Sequence, residues 1–143
     1  MELIVNSQLT GKWYKITRTP QSQELKFMEI FIYLSTNYKN VFDLLYVGVK
    51  EDRSKFLRKM SLKISMKQET CHLTAKGIFF KKRFKVLLFD EENGLLILSD
   101  RRMKNVSIYS KKYKISHETL EDCLKKIKFP NDIKLIINEL NLK

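Results

Sequence analysis

The sequence predicts an all-β fold: an eight-stranded up-and-down antiparallel barrel with a C-terminal α-helix packed outside it. Three observations carry that prediction. The middle of the chain reads as strand after strand, interrupted by only 4 glycines and 2 prolines among 143 residues. Where the pattern is clearest, apolar and polar residues alternate with period two, as in a sheet with one face in water. Near residue 116 the period changes to that of an amphipathic helix. Eight strands joined by short hairpins suit a closed barrel, whose interior holds packed side chains or one small ligand.

Each element has its own justification. Residues 12–19 form the first strand, entered through Gly11, where the backbone can turn tightly, and ended by Pro20, which cannot donate to a ladder. It carries Trp13, the only tryptophan, a large apolar plate for the core behind it. Residues 27–35 are rich in aromatic and branched side chains, and a polar turn follows at 37–40. Residues 41–50 make the third strand, turned by 51–54. Within 56–67, Leu62, Ile64 and Met66 alternate with Ser61, Lys63, Ser65 and Lys67. Within 71–80, Leu73, Ala75, Gly77 and Phe79 oppose Thr74, Lys76, Ile78 and Phe80, and Lys81-Lys82-Arg83 reads as a basic turn. Residues 84–89 and 95–99 are short apolar strands around the turn residues Asp90-Glu91-Glu92-Asn93-Gly94. Residues 106–112 are the eighth strand.

The helix spans about 117–128. Ser116 is its N-cap, Glu118 complements the dipole in its first turn, and Leu120, Cys123, Leu124 and Ile127 form its apolar face. Pro130 stops it. Residues 132–140 read equally as a second short helix or an edge strand. The whole chain is expected to be a single domain, 1–143, with the barrel at about 11–112.

Composition bounds the function. With 43% apolar residues the chain can bury a real core. No apolar run approaches the roughly 18 residues of a membrane-spanning helix. Met1–Gln8 has no signal-peptide pattern, so the expectation is a cytoplasmic protein or the mature form of an exported one. Cys71 and Cys123 allow one disulfide, and free thiols are favoured because a core of this size needs no staple. No metal-ligand spacing appears among these cysteines, His72 and His117, and no cofactor is expected. Cys71 and His72 are adjacent on a strand and so point to opposite faces, which spoils them as a nucleophile–base pair. The Asp90, Glu91 and Glu92 carboxylates sit in a tight turn, and no catalytic triad or phosphate loop is present, so the chain is not expected to be an enzyme.

Several segments resemble the lipocalin family. Gly11-Lys12-Trp13-Tyr14 with Ile16 and Arg18 is similar to the family's first signature, especially in its bacterial branch. Leu88-Phe89-Asp90 before a short hairpin resembles the second. Val106-Ser107-Ile108-Tyr109-Ser110-Lys111, then Ile115-Ser116, the helix, Phe129 and Ile133, resembles the third. The segments occur in the family's order along nearly the whole chain. Lys111 replaces the arginine that the family packs over the tryptophan at the closed end. Glu91, Glu92 and Asn93 stand where bacterial members often have a tyrosine, and no cysteine stands near the N-terminus for a lipid anchor. The resemblance implies binding, storage or transport of a small hydrophobic or amphipathic ligand in the barrel.

Strand parity then nominates a lining: Trp13, Phe31, Tyr33, Phe42, Leu44, Tyr46, Leu62, Ile64, Met66, Leu73, Ala75, Phe79, Phe84, Val86 and Leu88. Lys15 and Thr17 share the face of Trp13, and plain core packing is the alternative role of any one apolar residue. Alternate loops of such a barrel emerge at the same end. The first, third, fifth and seventh loops hold ten basic and four acidic side chains, including Arg53, Lys81, Lys82, Arg83, Arg101, Arg102 and Lys104. The opposite end is slightly acidic. A basic mouth over an apolar cavity suits a fatty acid or lysophospholipid, and the same mouth suits an anionic membrane surface. The net charge of +12 leaves one alternative, a basic barrel binding nucleic acid or another anionic macromolecule. Exposed aromatics such as Tyr38 and Tyr113 are compatible with it, but no aromatic-studded basic face is apparent, so nucleic acid is the less favoured partner.

Overall fold

The computed structural model describes residues 6–18, 26–38, 40–68, 70–100, 106–127 and 136–137. Residues 101–105, with Arg101, Arg102 and Lys104, lie outside the described residues, as do Phe129 and Ile133 and the side chains of Thr17, Arg18 and Tyr38.

Among the described residues, one helical turn, α1 (Asn6–Leu9), precedes ten strands and one longer helix. The strands are β1 (Gly11–Lys15), β2 (Thr17–Arg18), β3 (Glu29–Tyr38), β4 (Val41–Val49), β5 (Lys55–Lys67), β6 (Thr70–Lys76), β7 (Lys81–Asp90), β8 (Leu95–Ser99), β9 (Val106–Ser110) and β10 (Ile136–Ile137). Eight of them close an antiparallel barrel in the order β1-β3-β4-β5-β6-β7-β8-β9, and β9 returns to β1 through Tyr14↔Ser110 and Lys15↔Tyr109. The predicted first strand is divided: β1 stays in the barrel and β2 pairs with β10, which makes part of 132–140 an edge strand.

Helix α2 (His117–Lys125) starts where the sequence places it. The Ser116 hydroxyl accepts the Thr119 N–H at 3.2 Å, and Glu118 lies in the first turn. Leu120 and Cys123 pack with Ile16, Leu95, Ile97, Ile108 and Ile115 on the outside of the barrel wall. A second apolar cluster fills the lower interior, with Trp13, Phe42, Ile64, Cys71 and Leu73 among its buried members. The wall therefore has apolar residues on both sides where the helix lies. Cys71 is in the inner cluster and Cys123 in the outer, and both are free.

The inward parity differs from expectation on β3. Trp13 pairs with Ile32 and Tyr14 with Phe31, and paired residues share a face. Ile32 and Leu34 therefore line the interior, whereas Phe31 and Tyr33 point outward. The outer face holds them because Lys12 lies there. Its Nζ stands 4.1 Å from the Phe31 ring centre and 4.6 Å from that of Tyr14, while Tyr14 meets Phe31 edge-on at 6.2 Å.

A second difference arises on β7. The register against β8 shifts between Val86 and Leu88, so Val86 faces Leu98 but Phe89 faces Leu96. The extra residue reverses the parity of the positions after it. Leu88 consequently packs with the outer cluster under the helix, and Phe89 takes the inward place. The third difference is the length of β6. It ends at Lys76, so Phe79 sits at a hairpin tip, 99% exposed, and Lys81-Lys82-Arg83 begins β7 instead of forming a turn. Met66 keeps inward parity through its partner Cys71, but it lies near the end of β5 and is 41% exposed.

Candidate ligand-binding cavity

The floor of the cavity is built by α1 and β1. The Trp13 indole N–H donates to the Leu9 carbonyl at 2.8 Å, which fixes the helical turn across the narrow end. Both residues are fully buried. Beneath them Lys111 spans the end of the barrel. Its Nζ is 5.2 Å from the Trp13 ring centre and donates to the Thr10 carbonyl at 3.2 Å. A cation–aromatic contact is thus kept with lysine in the arginine's place, without the planar stacking that an arginine supplies. Gly94, at φ +65°, lets the β7–β8 turn approach: its carbonyl accepts the Lys111 N–H at 2.9 Å. Asp90 holds the same turn by accepting the side-chain amide of Asn93 at 2.7 Å and its backbone N–H at 3.1 Å. Those hydrogen bonds, led by the side-chain amide, draw the Asp90 carboxyl below its ordinary pKa.

Above the floor lies a cavity of about 530 Å³. Its apolar walls come from four groups of strands: Ile32 and Leu34 on β3; Leu44 and Tyr46 on β4; Met60 and Leu62 on β5 facing Leu73 and Ala75 on β6; and Phe84 on β7 beside Leu96 and Leu98 on β8. Ile32, Leu34, Met60, Leu96 and Leu98 join the residues that strand parity nominated. Phe42, Ile64 and Val86 belong to the buried packing below and around the cavity, as Trp13 does.

The open end is aromatic and cationic. Phe27, Phe56 and Phe80 line it together with Lys26, Arg58 and Lys82. Phe27 packs against Phe56 with ring centres 5.9 Å apart, and Tyr46 meets Phe56 edge-on at 6.2 Å. Each cation lies over a ring: Arg58 over Phe56 at 5.2 Å, Lys82 over Phe84 at 5.3 Å and Lys26 over Phe27 at 5.3 Å. These contacts hold the charges at the rim while keeping their heads accessible to water. Deeper in, Lys15 lies on the wall only 8% exposed, its Nζ 5.9 Å from the Tyr109 ring. Asp100 is the single acidic lining residue among the described ones.

The basic side chains named from the sequence divide. Lys82 lines the cavity, whereas Lys81 and Arg83 flank it on β7 with the opposite parity, and Arg53 lies exposed in the β4–β5 turn at φ +73°. Arg58 was hidden among the apolar residues of β5 and is revealed by its register against Tyr46, an inward position. Lys15 was legible, being two residues from Trp13 on one strand. On the outer face, Tyr113 packs edge-on against Tyr14 at 5.2 Å. His72 pairs with Lys85 on the outside while Cys71 is buried inside, so the two do not meet. Burial, with Arg83, Lys85 and Lys67 nearby, moves the imidazole pKa down.

A closed barrel of eight strands with a helix after its last barrel strand has counterparts among solved structures. Lobster apocrustacyanin A1 superposes with a TM-score of 0.67 at 15% identity, over 92% of this chain and 77% of that one. Lipocalin 12 from rat epididymis gives 0.69 at 12%, over 96% and 86%. The cockroach allergen Per a 4 gives 0.65 at 12%, over 99% and 94%. The fold is lipocalin-like. No family model and no curated protein sequence matches the chain. In this lipocalin-like frame the cavity, its floor of Leu9 and Trp13 and its rim of cations occupy one continuous axis.

Proposed function

We propose that this chain binds, stores or carries a small amphipathic ligand with an anionic head, of the fatty-acid or lysophospholipid type. The observation that carries this reading is the composition of one cavity: apolar walls below, and Lys15, Lys26, Arg58 and Lys82 higher up, with Asp100 the one described acidic side chain among them. The volume lies within the roughly 300–1,000 Å³ usual for small-molecule sites. A tail of about ten methylenes would gain about 8 kcal/mol on burial. Association itself costs at least about 4 kcal/mol, so the tail alone gives weak binding and a charge-assisted contact to the head is needed for tight binding.

Native mass spectrometry of protein purified without delipidation tests this, with added long-chain fatty acid, lysophospholipid and a fatty alcohol of equal length. One-to-one saturable adducts are expected, tighter for the acid than for the alcohol. Ala75→Trp, which fills the cavity, should remove all of them. Lys15→Met should weaken the acid about tenfold and leave the alcohol unchanged. A bare mass throughout, or equal binding of acid and alcohol by the parent chain and by Lys15→Met, overturns the reading.

A further inference from the structure

The hairpin joining β6 to β7 is not explained by the cavity. Its four residues are Gly77-Ile78-Phe79-Phe80, closed by a Gly77 N–H to Phe80 carbonyl hydrogen bond of 2.7 Å. Ile78 is 92% exposed and Phe79 is 99% exposed, two large apolar side chains side by side at the tip. Phe80 turns back to the cavity rim, which places the hairpin at the open end. Immediately behind the tip come Lys76, Lys81, Lys82, Arg83 and Lys85, and no acidic residue occurs between Cys71 and Phe89. Lys76 and Lys81 are directly paired across the two strands. Like charges placed opposite each other destabilise an isolated hairpin, so this arrangement favours an anionic counterpart.

We infer that this hairpin is a membrane-docking wedge: Ile78 and Phe79 enter the interfacial region of an anionic lipid bilayer, and the collar of Lys76, Lys81 and Arg83 meets its head groups. Size decides against a protein partner. A stable protein interface buries about 800 Å² on each side, far more than a four-residue tip offers. Shallow interfacial insertion needs only a few apolar side chains with basic neighbours. With about 3.3 Å per strand residue, Lys76 and Lys81 stand about 7 Å and Arg83 about 13 Å behind the tip, so a tip inserted by about 5–10 Å brings all three within about one Debye length of the head groups. Leu57 on β5, 59% exposed, is a further exposed apolar side chain at the same end of the barrel. The inference is independent of what the cavity holds.

The test is flotation of the full chain with vesicles of phosphatidylcholine alone and of phosphatidylcholine with about 30 mol% phosphatidylserine. Binding to the anionic vesicles is expected, decreasing with salt. The double variant Ile78→Ser with Phe79→Ser should bind at least about tenfold more weakly, and Arg83→Glu about tenfold more weakly. All these positions are exposed, so unfolding curves should coincide with that of the parent chain. Phe79→Trp reports insertion directly: its emission should shift to the blue with anionic vesicles and be quenched by lipids brominated on the acyl chain, against the constant background of buried Trp13. Vesicle binding with unshifted Phe79→Trp emission, or equal binding by the serine variant, overturns the wedge. So does an absence of vesicle binding together with self-association that the serine variant abolishes, which would make the tip a contact between protein chains.

Discussion

Gly48 and Phe27 offer a sharp test of how the mouth of the barrel is packed. Gly48 faces Ile30 across the β3–β4 ladder, and a Cβ placed on it would stand 2.8 Å from three atoms of the Phe27 ring. Carbon atoms in good contact stay about 3.5–4.0 Å apart, so the ring would have to retreat by roughly 1 Å. It has little freedom to do so. Phe27 is 5% exposed and packs on Phe56, and the next residue is pinned by a 2.7 Å hydrogen bond from the Met28 N–H to the Val49 carbonyl. Overpacking of this kind costs about 1–3 kcal/mol. The intrinsic effect of replacing a strand glycine by alanine has the opposite sign, a gain of up to about 1 kcal/mol. Gly48→Ala should therefore destabilise the chain by about 1–2 kcal/mol, lowering the melting temperature by about 3–8 °C. In a Phe27→Ala background the same substitution should be neutral or stabilising. The coupling from the four urea-unfolding curves should then be at least about 1 kcal/mol. If Gly48→Ala costs the same with and without the ring, Phe27 does not sit on Gly48 and the mouth is packed in some other way.

Two further predictions concern the closed end. Because the Asn93 side-chain and backbone donors lower the Asp90 pKa in the folded chain, the carboxylate stabilises the fold above its ordinary value of 3.8, and that contribution disappears as pH falls through the lowered folded value. Asp90→Ala should then be less stable than the parent at neutral pH, with the two urea midpoints converging as the pH is taken below 3.8; a gap that persists unchanged in acid would refute this. Lys111→Ala removes both the contact over Trp13 and the hydrogen bond to Thr10, and should cost about 1–2 kcal/mol in the same assay. An unchanged midpoint would show that the lysine merely lies near the ring.

Much of this architecture can be read from local pattern. Period-two alternation marks Leu62 and Ile64, Leu73 and Ala75 as inward pairs, and the structure places each opposite its partner across β5 and β6. Ser116 and the spacing of Leu120 and Cys123 announce the helix and its buried face. Trp13 and Lys111 come together although they are 98 positions apart, as the resemblance of the first and third segments implies.

The rest depends on partners distant in sequence. β3 is apolar on both faces, so its parity follows only from pairing Trp13 with Ile32, and Lys12 then claims Phe31 for the outside. The bulge that sends Leu88 out and Phe89 in leaves no mark on a run of apolar residues, because both sides of the wall are buried there. Phe79 alternates perfectly with Ala75, yet β6 stops at Lys76 and the alternation continues into a turn where it has no meaning. A single chain thus determines, by itself, where it can form strands and a helix, since those are local preferences of backbone and side chain. Which face of a two-sided apolar strand turns inward, and which cations reach the cavity, is decided only when the barrel closes, because register is a property of two strands and not of one.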